Sequence, residues 1–143
     1  MFRHEIPLFQ IKVCGITSVS DAETAGRAGA DAIGLNFYRQ SPRYVEPDLA
    51  RKIAEAVPLG VARVGVFVNE SIDEINRIAD HVGLHWIQLH GDEVPEFLEQ
   101  LVDRRIIRAF RCRDDGLLPV RDYLQNCANL NSQPEAVLLD AYS

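Results

Sequence analysis

Cys14 follows Lys12-Val13 at the end of a short β-rich run and precedes Gly15. A thiolate is favoured near a helix N-terminus or a cation, and a cysteine so placed serves as base or nucleophile. Otherwise such a residue is a small buried hydrophobe. Asp140 closes the apolar run Val137-Leu138-Leu139. A carboxyl at the tip of a buried strand loses hydration, which suits a proton donor; a helix cap or a loop-anchoring acceptor is the plainer reading. Arg43 stands in the loop-like stretch Arg39-Gln40-Ser41-Pro42-Arg43-Tyr44-Val45. It offers a planar fork for a carboxylate or phosphate, unless it is a solvated surface side chain. Gln88 and His90 can hydrogen-bond a ligand, or each is a satisfied structural residue. Cys14, Cys112 and Cys127 are too few and too scattered for a zinc site or a disulfide framework. Neither type of Gly-rich nucleotide loop is present. Polar and ionisable residues at the tips of apolar runs suggest a small-molecule pocket.

Six β-rich runs must position these residues: Ile11–Ile16, Ala32–Tyr38, Val61–Val68, Trp86–His90, Arg105–Cys112 and Ala136–Ala141. Helical patterns lie between them. Ile72, Ile75, Ile78, Ala79 and Val82 form one apolar face, and Ser71 with Glu74 three residues on predicts a capping box. Leu49, Ile53 and Val57 make a second face. Asp21–Gly29 is Ala-rich and ends in Gly, with Ser20 or Asp21 as its cap. Glu96–Leu101 and Leu117–Asn126 are weaker helices. Strands alternating with helices argue a parallel sheet, because parallel neighbours need a crossover connection. The run Val64–Val68 is apolar enough to be buried on both faces.

An open doubly wound sheet and a (β/α)₈ barrel both satisfy this rhythm. Strand starts recur every 25 residues or so, and eight such units need about 200 residues, the lower end for a barrel. The sequence stops just after the sixth run with no helix to cover it. The expected fold is therefore an α/β chain of the TIM-barrel class, a single domain over 1–143 truncated after about six parallel strands. In either architecture function collects beyond the carboxyl ends of the strands, where Cys14, Asn36, Asn69, His90, Arg111 and Asp140 all fall.

Composition excludes several classes. The 143 residues carry 15 Lys plus Arg against 21 Asp plus Glu, a net charge of −6, which disfavours binding to a phosphate backbone. Apolar residues make up 47%, too many for a disordered chain. No apolar run approaches the roughly 18–20 residues of a membrane span. The stretch Met1–Lys12 lacks the apolar core of a secretory signal. A reduced, cytoplasmic protein is expected, with no nucleic-acid or membrane partner.

The motifs Lys12-Val13-Cys14-Gly15-Ile16-Thr17, Gly34-Leu35-Asn36-Phe37-Tyr38 with Ser41-Pro42-Arg43-Tyr44-Val45, Val64-Gly65-Val66-Phe67-Val68-Asn69, Gln88-Leu89-His90-Gly91 and Leu138-Leu139-Asp140 occur in this order. Together they resemble phosphoribosylanthranilate isomerase, the (β/α)₈ family of tryptophan biosynthesis, over nearly the whole sequence. The resemblance implies an Amadori rearrangement of N-(5′-phosphoribosyl)anthranilate without metal or organic cofactor. It carries the general base onto Cys14, the general acid onto Asp140 and the anthranilate-carboxylate anchor onto Arg43, with His90 lining the site. The family continues past its sixth strand with a Gly-rich loop and two further βα units that hold the phosphate. Those are not in this sequence, so the chain alone is expected to be inactive. Its open edges should pair with that remaining segment or with another copy. The alternatives are a barrel fragment or binding module without turnover, and another sugar-phosphate isomerase barrel. The isomerase of histidine biosynthesis uses carboxylates as acid and base, so Cys14 disfavours it.

Overall fold

A computed structural model describes residues 8–114 and 116–141. Most of the stretch weighed above as a secretory leader, residues 1–7, lies outside the described residues. The elements run β1 (Lys12–Val13), α1 (Val19–Arg27), β2 (Ala32–Asn36), α2 (Pro47–Ala56), β3 (Ala62–Phe67), α3 (Ile72–Val82), β4 (Trp86–Leu89), α4 (Pro95–Glu99), β5 (Ile106–Cys112), α5 (Leu118–Asn129) and β6 (Ala136–Ala141). The strands form one sheet in the order β1-β2-β3-β4-β5-β6, every pair parallel. Sequential order with a helix in each connection is the barrel winding; a doubly wound sheet reverses direction from a central strand.

Strand alternation separates two apolar layers. Ile33, Leu35, Phe67, Ile87, Leu89 and Ile106 face outward and pack under Ala22, Ala50, Ile53, Ile75, Ile78, Leu98 and Cys127 of the helices. Ala32, Ala62, Val64, Trp86 and Ile107 face inward and gather with Phe9 and Leu138. Residues of five strands meet in that inner cluster, so the sheet curls around it. Phe9 sets its edge on the Trp86 ring at 5.8 Å.

Local signals explain most boundaries. α3 begins at Ser71, whose hydroxyl accepts from Glu74 N–H. Only half of the expected capping box forms. Glu70 accepts the Ser71 N–H, while Glu74 binds Arg77 one turn on, which lowers the Glu74 carboxyl from its ordinary range. α1 starts two residues before the expected position, because Ser18 takes the cap by accepting from Asp21 N–H at 3.1 Å. β1 covers two residues instead of six. At Gly15 the backbone adopts φ +80°, and the N–H groups of both Gly15 and Ile16 turn onto Gly34 O. α4 ends at Glu99 rather than Leu101, because the N–H groups of Gln100 and Leu101 form tight three-residue turns onto Phe97 O and Leu98 O.

Candidate active site

The carboxyl ends of β1 to β5 open onto a cavity of about 900 Å³, within the range of small-molecule sites. Cys14, Asn36, Val66, Gln88, His90 and Arg111 contribute to its wall. Cys14 is exposed rather than buried, since β1 is an edge strand and the chain leaves the sheet right after it. Its neighbour across the sheet must be small. A Cβ on Gly34 would lie 2.7 Å from Cys14 Sγ and 3.2 Å from Lys12 Nζ. Gly15 plays a matching part for Arg43. Any Cβ there would collide with Arg43 Cδ, so the arginine stem lies directly over the turn that follows Cys14.

The Arg43 loop is tied to the end of β2. Asn36 Oδ1 accepts from Tyr38 N–H at 2.8 Å, and Ser41 Oγ accepts from Arg43 N–H at 3.1 Å. Val45 N–H returns to Asn36 O. Arg43 is an exposed residue outside the cavity lining.

Gln88 on β4 and His90 just beyond its end continue the inward face begun by Trp86, at the two-residue spacing of a strand. Gln88 is 2% exposed, and its Nε2 lies 2.9 Å from His90 Nδ1. Its Oε1 is buried without a hydrogen-bond partner among the described residues. His90 Nε2 reaches Asp140 Oδ2 at 3.4 Å, spanning β5. Asp140 meets the site through this contact. The burial expected from its apolar run is absent: the Asp140 side chain is 49% exposed, because among the described residues β6 pairs only with β5.

Glu93 was not among the sequence candidates, yet it organises the loops behind His90. Its side chain is 1% exposed. Oε2 accepts from Asn69 N–H at 2.8 Å and Oε1 from Gly91 N–H at 2.9 Å. Asn69, with φ +52°, accepts Asp92 N–H on Oδ1 at 2.8 Å and so locks the loops after β3 and β4 together. Arg108 lies 3.9 Å from the Glu93 carboxylate and donates to Leu89 O, Ala109 O and Glu93 O. Tyr123 donates to Glu93 O at 2.7 Å, and burial pushes its phenol up, which keeps the donating proton in place. One sequence signal for this cluster existed: Arg108 interrupts an apolar strand, where an unpaired charge is hardly ever buried. Asn69 is also marked by its place at a strand end, whereas Glu93 carries no comparable signal.

Cys112 is half-buried at the end of β5, and Cys127 is fully buried under the sheet, as packing roles require. Burial raises the Cys127 thiol above its ordinary value. No group of three metal-ligating side chains occurs among the described residues.

The family model for N-(5′-phosphoribosyl)anthranilate isomerase matches residues 11–141. The chain belongs to that family. It is 47% identical over 137 residues to the N-(5′-phosphoribosyl)anthranilate isomerase of Rubrobacter xylanophilus, covering 93% of this chain and 62% of the relative. The crystal structure of phosphoribosylanthranilate isomerase from Thermotoga maritima superposes with a TM-score of 0.79 at 36% identity, over 95% of this chain and 63% of that one. A structure of the isomerase in complex with reduced 1-(o-carboxyphenylamino)-1-deoxyribulose 5-phosphate superposes with a TM-score of 0.78 at 36% identity, over 95% of this chain and 66% of the other. The chain spans about three fifths of the length of the curated relatives it matches. The fold is thus that of the family's (β/α) barrel over its first six strands. No helix among the described residues is long and apolar enough to cross a membrane.

Proposed function

We propose that the protein catalyses the Amadori rearrangement of N-(5′-phosphoribosyl)anthranilate to 1-(2-carboxyphenylamino)-1-deoxyribulose 5-phosphate in tryptophan biosynthesis. The carrying observation is one wall of groups at the carboxyl ends of the strands. Cys14 lines the cavity beside Arg43, and Asp140 joins it through His90. Cys14 follows β1 and Asp140 lies near the end of β6, the first and last strands of the sheet, so a sugar bound across the cavity is addressed from opposite sides.

In this reading the Asp140 carboxyl delivers its proton to the ribose ring oxygen. The C1′–O bond breaks as the anthranilate nitrogen lone pair forms the C1′=N iminium. The Cys14 thiolate then removes the C2′ proton. That C–H pair becomes the C1′=C2′ bond and the iminium electrons return to nitrogen. The resulting enolamine gains a proton at C1′ and loses the C2′ hydroxyl proton, giving the ketone. One acid and one base suffice. Arg43 holds the anthranilate carboxylate with its planar fork. Gln88 and His90 line the wall as further substrate-binding residues. No cofactor is required by these steps.

The length by which the relatives exceed this chain supplies the phosphate anchor and pairs with the open edges of β1 and β6; a second copy is the competing occupant. The three free cysteines suit the reducing cytoplasm.

The test is turnover of N-(5′-phosphoribosyl)anthranilate by the 143-residue chain alone and joined to the remaining segment of a relative. Isomerisation is expected only in the joined protein, and Cys14→Ser should lower kcat by about 10²–10⁴-fold with KM nearly unchanged. Absence of turnover in the joined protein, or an unchanged kcat in Cys14→Ser, overturns the reading.

A further inference from the structure

We infer that His90 is a positioning residue whose proton is fixed on Nε2 by Gln88, so that it orients the Asp140 carboxyl. The role rests on Asp140 being the acid of the proposed reaction; the geometry beneath it does not. Gln88 presents its amide nitrogen to His90 Nδ1 at 2.9 Å. An amide nitrogen only donates, so Nδ1 is the bare acceptor nitrogen and a neutral ring must carry its proton on Nε2. That N–H then donates to Asp140 Oδ2 at 3.4 Å. An oxygen accepting such a bond is the unprotonated one, which leaves Oδ1 to carry the proton that the reaction needs.

The strands explain why this chain of three can form. Gln88 lies on β4 and His90 just beyond its end on the same side, and Asp140 of β6 stands in register with Arg111 of the intervening β5. Gln88 is almost wholly buried, whereas the Asp140 side chain is 49% exposed at an edge. The relay thus runs from a covered residue of the sheet centre to a half-exposed carboxyl. The opposite amide orientation would place Oε1 against Nδ1, demand a proton there, and reverse the relay.

The two orientations are separable by two-bond ¹H–¹⁵N spectra of the labelled chain at neutral pH, with the His90 signals assigned by their loss in His90→Leu. The expected result is an unprotonated Nδ1 and a protonated Nε2 in the wild type. In Gln88→Glu the carboxylate accepts instead, and Nδ1 should become protonated. A wild-type ring protonated on Nδ1 overturns the inference, as does an unchanged ring in a folded Gln88→Glu; if that variant does not fold, the wild-type spectrum decides alone. In the joined protein, His90→Leu should lower kcat by up to about 100-fold with little change in KM. His90→Gln, whose amide donor replaces Nε2, should restore part of it. A raised KM at unchanged kcat would make His90 a direct substrate ligand and overturn the positioning role. Should the joined protein show no isomerisation at all, the functional reading fails while the spectra still decide the relay.

Discussion

β4 and β6 are built from similar residues and end in similar chemistry, yet their surroundings are opposite. Trp86, Ile87, Gln88 and Leu89 of β4 are all buried, with a strand on each side and helices outside. On β6, Val137 is 39% exposed and Leu139 52% exposed, and β5 alone pairs with it. The proposed site straddles this difference. Its hydrogen-bonding residues, Gln88 and His90, sit on the rigid centre, whereas Cys14 and Asp140 sit on the two edges. A barrel site assembled from several strand ends inherits its precision from how well each strand is held. Here that precision is uneven.

The comparison breaks most visibly at Glu93. Its buried carboxylate satisfies two backbone N–H groups and faces Arg108, whose side chain is 6% exposed. Removing one partner of a buried pair leaves the other charge without compensation, at a cost of about 3–5 kcal/mol. Glu93→Ala should therefore shift the urea midpoint strongly downward and release the loops carrying Asn69 and Gly91. Faster hydrogen exchange at those two amides would report the loop opening. A midpoint within experimental error of wild type would show that the centre of the sheet does not depend on this clamp.

The sequence made the rhythm of strands and helices legible because each signal was local: Ser71 before α3, the apolar face of α3, and the turn residues between runs. The motif residues were legible too, since strand ends announce themselves by a polar residue after an apolar run. What escaped was pairwise and distant. Glu93 acts on Asn69 and Arg108, residues 24 and 15 positions away. The exposure of Asp140 escaped for a similar reason: burial of an apolar strand comes from its neighbours, and periodicity within Val137–Leu139 contains no information about them.

A smaller effect is expected at the amino end of β4, where His85 Nδ1 accepts Arg63 N–H at 3.0 Å. Burial, aided by the charges of Arg63 and Arg105, lowers the His85 pKa from its ordinary value of 6.5. The unfolded chain therefore binds a proton more readily than the folded one between the lowered value and about 6.5. Stability from this group is complete above that range and declines as pH falls through it. Thermal unfolding should move to lower temperature between pH 7.5 and 5, and His85→Gln should flatten that slope. An identical slope in the variant would assign the loss to other groups.

The smallest effect belongs to the open edge and sharpens the contrast. Leu139 and Leu89 are the same residue type on outward faces of the same sheet, but Leu89 is 0% exposed and Leu139 52% exposed. Truncating a side chain already half in water removes little transfer energy and opens no cavity. Leu139→Ala should therefore change stability by no more than about 0.5 kcal/mol, the usual span for surface positions. The same truncation at Leu89 is the reference for a covered strand, since it would leave a void beneath the helices. Both variants are compared by urea unfolding at several protein concentrations. If Leu139→Ala is as costly as Leu89→Ala and the cost grows with concentration, the outer face of β6 is covered in solution by another copy. A small, concentration-independent change leaves the outer face of β6 uncovered in the 143-residue chain.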